Sequence, residues 1–169
     1  MTGFNLQIID NFLPQKYFNK LKNISQQISW GSIGLYDPTE PLTHKWFSRN
    51  VIDDDELKNI LIKNIRNKTL FKVDDFNLLH ITLVPKREAW PHTDTGDNFK
   101  HQMVLYVDGD ADMNKGTGFY MPSDTGIILN TAVGFYGNRA IFFDSGVWHT
   151  PLVYASNNAN PRISIIAQF

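Results

Sequence analysis

Ala140-Ile141-Phe142-Phe143-Asp144-Ser145-Gly146-Val147-Trp148-His149-Thr150-Pro151-Leu152-Val153-Tyr154 reads as a strand, a turn on Ser145-Gly146, and a second strand that carries a histidine. A short apolar run closed by Asp, Ser and Gly is a strand ending in a turn. The same cadence holds from Lys72 onward. Candidate strands are Phe76–Val84, His101–Val107, Gly118–Met121, Gly134–Tyr136, Ala140–Phe143, Thr150–Tyr154 and Arg162–Phe169, with turn clusters such as Asp108-Gly109-Asp110 between them. Short strands at this spacing imply an antiparallel sandwich or barrel, and a compact barrel can enclose one small ligand in its mouth.

Upstream of Lys72 the period changes. Tyr17, Phe18, Leu21, Ile24 and Ile28 recur at helical spacing over about 14–29, and Leu57, Ile60, Leu61 and Ile65 do so over about 54–67. Pro14 suits the first turn of the first helix, where a missing N–H costs nothing. Asp53-Asp54-Asp55-Glu56 sits where a helix dipole favours anions, so the run reads as a solvated helix start rather than a metal site. Both helices are expected to pack on one outer face of the barrel. No linker, repeat or low-complexity tract divides the 169 residues. They are read as one domain, 1–169, with helical support and lid segments over 1–71 and the barrel over 72–169.

Composition narrows the chemistry. With no cysteine, thiolate metal sites, iron–sulfur clusters, disulfides and a Cys nucleophile are excluded, so any metal must be held by His, Asp or Glu. The net charge of −1, without a basic block, argues against a nucleic-acid substrate. Residues 1–10 lack the pattern of a signal peptide, and no run approaches the ~20 apolar residues of a membrane span. The expectation is a soluble, cytoplasmic protein with no membrane partner.

Among the five histidines, His44 and His80 have no partner at ligand spacing, and His80 and His101 read as packed or hydrogen-bonded strand residues. His92-Thr93-Asp94 differs. In extended backbone, residues i and i+2 point to one side with Cα atoms about 7 Å apart, so imidazole and carboxylate can converge on one ion. His149, 55 residues past Asp94, offers a third ligand at a strand start. Two imidazoles and one carboxylate on one face of an ion suit non-haem Fe(II) oxygen chemistry, although the same set also suits Zn or Mn. Arg162, 13 residues past His149, opens the last strand and alternates with Ser164. Inside a barrel an Arg needs an anionic partner, which a dicarboxylate would supply through a bidentate pair. On the strand pattern alone, a surface Arg at a strand start reads equally well.

These features together resemble the 2-oxoglutarate- and Fe(II)-dependent dioxygenases, particularly their prolyl-4-hydroxylase-like branch. His92-Thr93-Asp94 matches the family's proximal pair, His149 its distal histidine, and Arg162 the residue that holds the 2-oxoglutarate tail. Asn138-Arg139-Ala140-Ile141-Phe142-Phe143-Asp144 is similar to the strand before the distal histidine, and Gly116-Thr117-Gly118-Phe119-Tyr120 to the glycine-rich strand after the proximal pair. Ile9-Asp10-Asn11-Phe12-Leu13-Pro14 followed by a helix resembles the family's opening.

The resemblance implies a mainly β fold, a double-stranded β-helix (jelly-roll, cupin-like barrel) with two supporting N-terminal helices. It implies His92, Asp94 and His149 as iron ligands. Arg162, with Tyr106 and Ser164, would hold 2-oxoglutarate, and O2 would be the oxidant. The implied reaction hydroxylates a small molecule or peptide and releases succinate and CO2. The competing readings are a non-redox metal-binding cupin-like protein (isomerase or hydrolase), which would not need Arg162; a degenerate barrel that only binds; and a nucleic-acid demethylase, against which the net charge counts. Trp90 and Trp148 read as rim or core packing, and Trp46-Phe47-Ser48-Arg49-Asn50 as a loop able to cover the mouth.

Overall fold

A computed structural model describes residues 5–28, 47–84, 90–95, 99–152 and 162–169. The chain order is β1 (Leu6–Ile9), α1 (Gln15–Gln27), β2 (Phe47–Asn50), α2 (Asp55–Lys68), β3 (Leu78–Val84), β4 (His101–Asp108), β5 (Asp112–Ser123), β6 (Gly126–Phe135), β7 (Ala140–Asp144), β8 (Trp148–Pro151) and β9 (Arg162–Gln168). A six-stranded sheet runs β1-β7-β4-β9-β3-β2 and a three-stranded sheet runs β6-β5-β8. Every strand pair is antiparallel. Two facing antiparallel sheets with helices on one side form the double-stranded β-helix.

Alternation along the central strands sorts the core into two layers. On β4, Val104 and Tyr106 point between the sheets and meet Phe119, Val133, Phe135, Ile141 and Phe143. Met103, Leu105 and Val107 point the other way, onto Leu21 of α1 and Leu61 and Ile65 of α2. One strand buried on both faces needs apolar residues at nearly every position, and His101–Asp108 supplies them. The helices thus cover the outer face of the six-stranded sheet, as expected.

Local chemistry sets the helix starts. The Asp54 side chain accepts from the Leu57 N–H at 3.0 Å, with Asp55 and Glu56 in the first turn, an N-cap reinforced by the helix dipole. Pro14 precedes α1 rather than opening it, and its carbonyl accepts from Tyr17 and Phe18.

The N-terminal segment does more than support. β1 and β2 extend the large sheet at its two edges, and neither shows a strand pattern of its own. Phe47–Asn50, read from sequence as part of a covering loop, is an edge strand paired with Leu83–His80; Trp46, the rest of that stretch, lies outside the described residues.

Asn138 fastens this segment to the barrel. It is buried and holds a left-handed backbone (φ 64°), a conformation Asn tolerates better than most residues. Its Oδ1 accepts from the Leu13 N–H at 2.8 Å, and its Nδ2 donates to the Leu13 carbonyl at 2.9 Å. Its own N–H reaches Tyr106 and its carbonyl receives Phe12. Asn138→Ala would strand both polar groups of Leu13, so a loss of about 3 kcal/mol is expected in urea denaturation. A loss below about 1 kcal/mol would mean that water replaces the amide.

Candidate metal centre

The turn between β7 and β8 brings the three candidate ligands together. His149 N–H donates to His92 O at 2.8 Å, and His92 N–H donates to His149 O at 3.0 Å, so His92 lies beside β8 as one more rung of the small sheet. Asp94 N–H then donates to Ser145 O at 3.2 Å, and Ser145 N–H to Lys100 O at 2.9 Å. The His92-Thr93-Asp94 segment is therefore pinned by backbone to β8, to the β7–β8 turn and to the start of β4.

Side chains converge accordingly. His92 Nε2 lies 3.6 Å from Asp94 Oδ1, and His149 Nε2 lies 3.5 Å from Asp94 Oδ2. One ligand atom from each residue fits within a span of 4.8 Å. Neighbouring donors around an ion at ~2.1 Å stand about 3 Å apart, so modest rotations close the set. His92 Nδ1 lies 3.0 Å from Trp90 O and His149 Nδ1 lies 3.0 Å from Val147 O. A carbonyl can only accept, so both Nδ1 atoms carry a proton, and in the neutral ring Nε2 is the nitrogen left with a lone pair for an ion. Metal-ligating histidines are ordinarily oriented this way. The chemistry of this donor set fits a divalent ion such as Fe(II).

Burial alone would push the Asp94 carboxyl up. When the two rings are protonated, the hydrogen bond from His149, the charges of both rings and the Gln102 amide outweigh it and hold the group below its ordinary value. His149 packs edge-on against Phe143, with centroids 4.8 Å apart, which fixes its ring from behind.

Further along the barrel, Arg162 is 4% exposed. Its Nε donates to Ser164 Oγ at 3.3 Å, Nη1 to Gly116 O at 2.5 Å and Nη2 to Thr117 Oγ1 at 3.2 Å, with the guanidinium 4.9 Å above the Tyr106 ring. Tyr106 does not hydrogen-bond to Arg162. Its hydroxyl pairs with Thr117 Oγ1 at 2.8 Å, and burial keeps the phenol pKa raised. β5 shifts register against β6 ahead of Thr117, beside Gly116. A Cβ at Gly116 would stand 1.7 Å from Val133 O, so only glycine lets β5 present its carbonyl to Arg162 there.

Two residues that sequence reading passed over belong to this interior: Thr117, which links Arg162 to Tyr106, and Gln102, which is 1% exposed. Gln102 is a polar residue on a strand otherwise apolar between the sheets, two positions from Val104 and four from Tyr106. Trp90 is 85% exposed and Trp148 37%, both at the rim. His101 pairs with Asp144 at 2.9 Å. His80 bonds Ser48 at 2.8 Å and has its pKa lowered by burial. His44 lies outside the described residues. No described helix is long and apolar enough to cross a membrane.

No protein-family model and no curated protein sequence matches the chain. Solved structures do. A Pseudomonas putida prolyl-4-hydroxylase superposes with a TM-score of 0.68 at 17% identity, covering 98% of this chain and 92% of that one. A viral collagen prolyl hydroxylase from Paramecium Bursaria Chlorella virus-1, in complex with 2-oxoglutarate, gives 0.61 at 14% identity over 98% and 96%. An epimerase of nogalamycin biosynthesis, in complex with Fe3+, alpha-ketoglutarate and its nogalamycin ligand, gives 0.65 at 9% over 98% and 78%. The chain has the fold of the 2-oxoglutarate- and Fe(II)-dependent oxygenases, prolyl-4-hydroxylases among them.

Proposed function

We propose that this protein is a non-haem Fe(II)- and 2-oxoglutarate-dependent dioxygenase that hydroxylates a small-molecule or peptidyl substrate. The observation that carries the reading is the placement of two different binding features along one strand. On β5, Phe119 stands opposite His149, and Thr117, two residues away, meets Arg162. Two residues of extended chain span about 7 Å, a reach that a five-carbon dicarboxylate bridges.

In this reading His92, Asp94 and His149 hold Fe(II), which when bound supplies the dioxygen chemistry that turns 2-oxoglutarate into succinate and CO2. Arg162 pairs the far carboxylate of 2-oxoglutarate and fixes its direction. The Tyr106 ring supports the guanidinium from below, while Thr117 and Ser164 set its rotation. Phe119, Phe143 and Val147 line the interior beside the ligands and exclude water. Asp94 acts as a ligand, not as a base. The work of the protein is orientation and dryness. A non-redox isomerase or hydrolase would use the same ligands but has no need of Arg162.

The test is spectroscopic. Fe(II) and 2-oxoglutarate added to the apoprotein without oxygen should give a weak visible charge-transfer band that is absent from His92→Ala. Metal binding with neither a band nor 2-oxoglutarate affinity would sink the oxygenase and leave the non-redox alternative. The interior names no prime substrate, since this fold serves many.

A further inference from the structure

Gln102 lies at the ligand end of the barrel. It stands opposite Phe143 on β7 and Gln168 on β9, and residues directly opposite share a face. Phe143 is the ring that backs His149. From the other side, the backbone chain Asp94–Ser145–Lys100 ties Asp94 to the residues just before Gln102. The Gln102 side chain is thus enclosed between the wall of His149 and the tether of Asp94.

Its amide nitrogen is the one buried side-chain polar atom among the described residues that finds no hydrogen-bond partner. Native proteins leave few such groups, and each calls for a physical reason. Here the nearby acceptor is the Asp94 carboxylate. The amide makes no well-formed hydrogen bond to it while no ion is held. Both carboxylate oxygens now face imidazole nitrogens. An ion would take over those contacts, leaving lone pairs on the half-buried carboxylate, and on its inward side the orphaned Gln102 amide is the donor at hand.

We infer that Gln102 is a positioning residue of the metal centre, its side-chain N–H donating to the Asp94 carboxylate once that carboxylate ligates an ion. The inference rests on the ligand set proposed above and deepens it. Outer partners of ligating carboxylates orient them and tune the ion, and their loss typically costs roughly 10–100-fold in affinity.

The test is Mn(II) titration of the full chain without 2-oxoglutarate, alongside thermal melting of the metal-free protein. Gln102→Met keeps length and removes the donor. The Mn(II) dissociation constant should rise roughly 10–100-fold, while the metal-free melting midpoint holds or rises because an orphaned amide has gone. A merely structural glutamine would do the reverse, lowering the midpoint and leaving affinity unchanged, and that result would overturn the inference. Gln102→Asn, one methylene shorter, withdraws the amide and serves as the second variant should Gln102→Met not fold; unchanged affinity there is equally fatal. Wild-type protein that binds no Mn(II) overturns both the ligand set and the role of Gln102. Wild-type protein that binds Mn(II) but never 2-oxoglutarate overturns only the oxygenase, and Gln102 remains testable by the same titration.

Discussion

Asp94→Asn should abolish tight metal binding while leaving the fold intact. Asparagine has nearly the same shape, and the backbone bonds that pin the segment, Asp94 N–H to Ser145 O and the paired His92–His149 rung, do not involve the carboxylate. What disappears is the only anionic donor in the set. Two neutral imidazoles would then face a divalent ion alone, with an amide oxygen in place of a charge. The drop in Fe(II) or Mn(II) affinity should exceed the roughly 10–100-fold cost of losing an outer partner, and both the anaerobic 2-oxoglutarate band and succinate formation should vanish with it. The thermal midpoint of the metal-free protein should move little. Calorimetric titration with Mn(II) reads the affinity directly. Retained affinity within a factor of about ten, itself only ~1.4 kcal/mol, would show that Asp94 is not a ligand.

The sequence exposed this site unevenly, and the unevenness has physical causes. His92-Thr93-Asp94 was legible because two residues of extended chain suffice to put both groups on one side. The central strands β4, β7 and β9 were legible because burial on both faces demands unbroken apolar runs such as Ala140-Ile141-Phe142-Phe143. β1 and β2 were not: four residues each, they are strands only because an edge of the large sheet is there to pair with. β6 was read as Gly134–Tyr136 but runs Gly126–Phe135, since its first half is exposed and shows no burial rhythm. β5 was likewise undercounted, its polar start Asp112–Lys115 resembling a turn. Thr117 and Gln102 escaped because their importance lies in register, in what stands opposite them on another strand, which no local pattern encodes.

Arg162→Lys should separate co-substrate binding from metal binding. Lysine keeps the charge but not the planar fork, and three directions are in use at this position: Gly116 O, Thr117 Oγ1 and Ser164 Oγ, with the Tyr106 ring beneath. A single ammonium cannot both hold that frame and pair a carboxylate with two parallel N–H groups. Losing one charge-assisted bond costs about 1.5–3 kcal/mol, so the 2-oxoglutarate requirement should rise roughly 10–100-fold. Mn(II) affinity should stay at the wild-type value, because the hydrogen bonds of Arg162 to Ser164, Gly116 and Thr117 involve none of the three ligand residues. Arg162→Ala should act in the same direction and more strongly, but it also leaves the Gly116 carbonyl and Thr117 hydroxyl without this donor in a buried site, so part of its effect would be lost stability. The lysine variant is therefore the sharper test. Titration of 2-oxoglutarate into the Mn(II)-loaded protein gives both numbers in one experiment. Equal 2-oxoglutarate affinity would remove Arg162 from the co-substrate site, whereas a parallel fall in metal affinity would mean that the two ends of the barrel are mechanically coupled through β5.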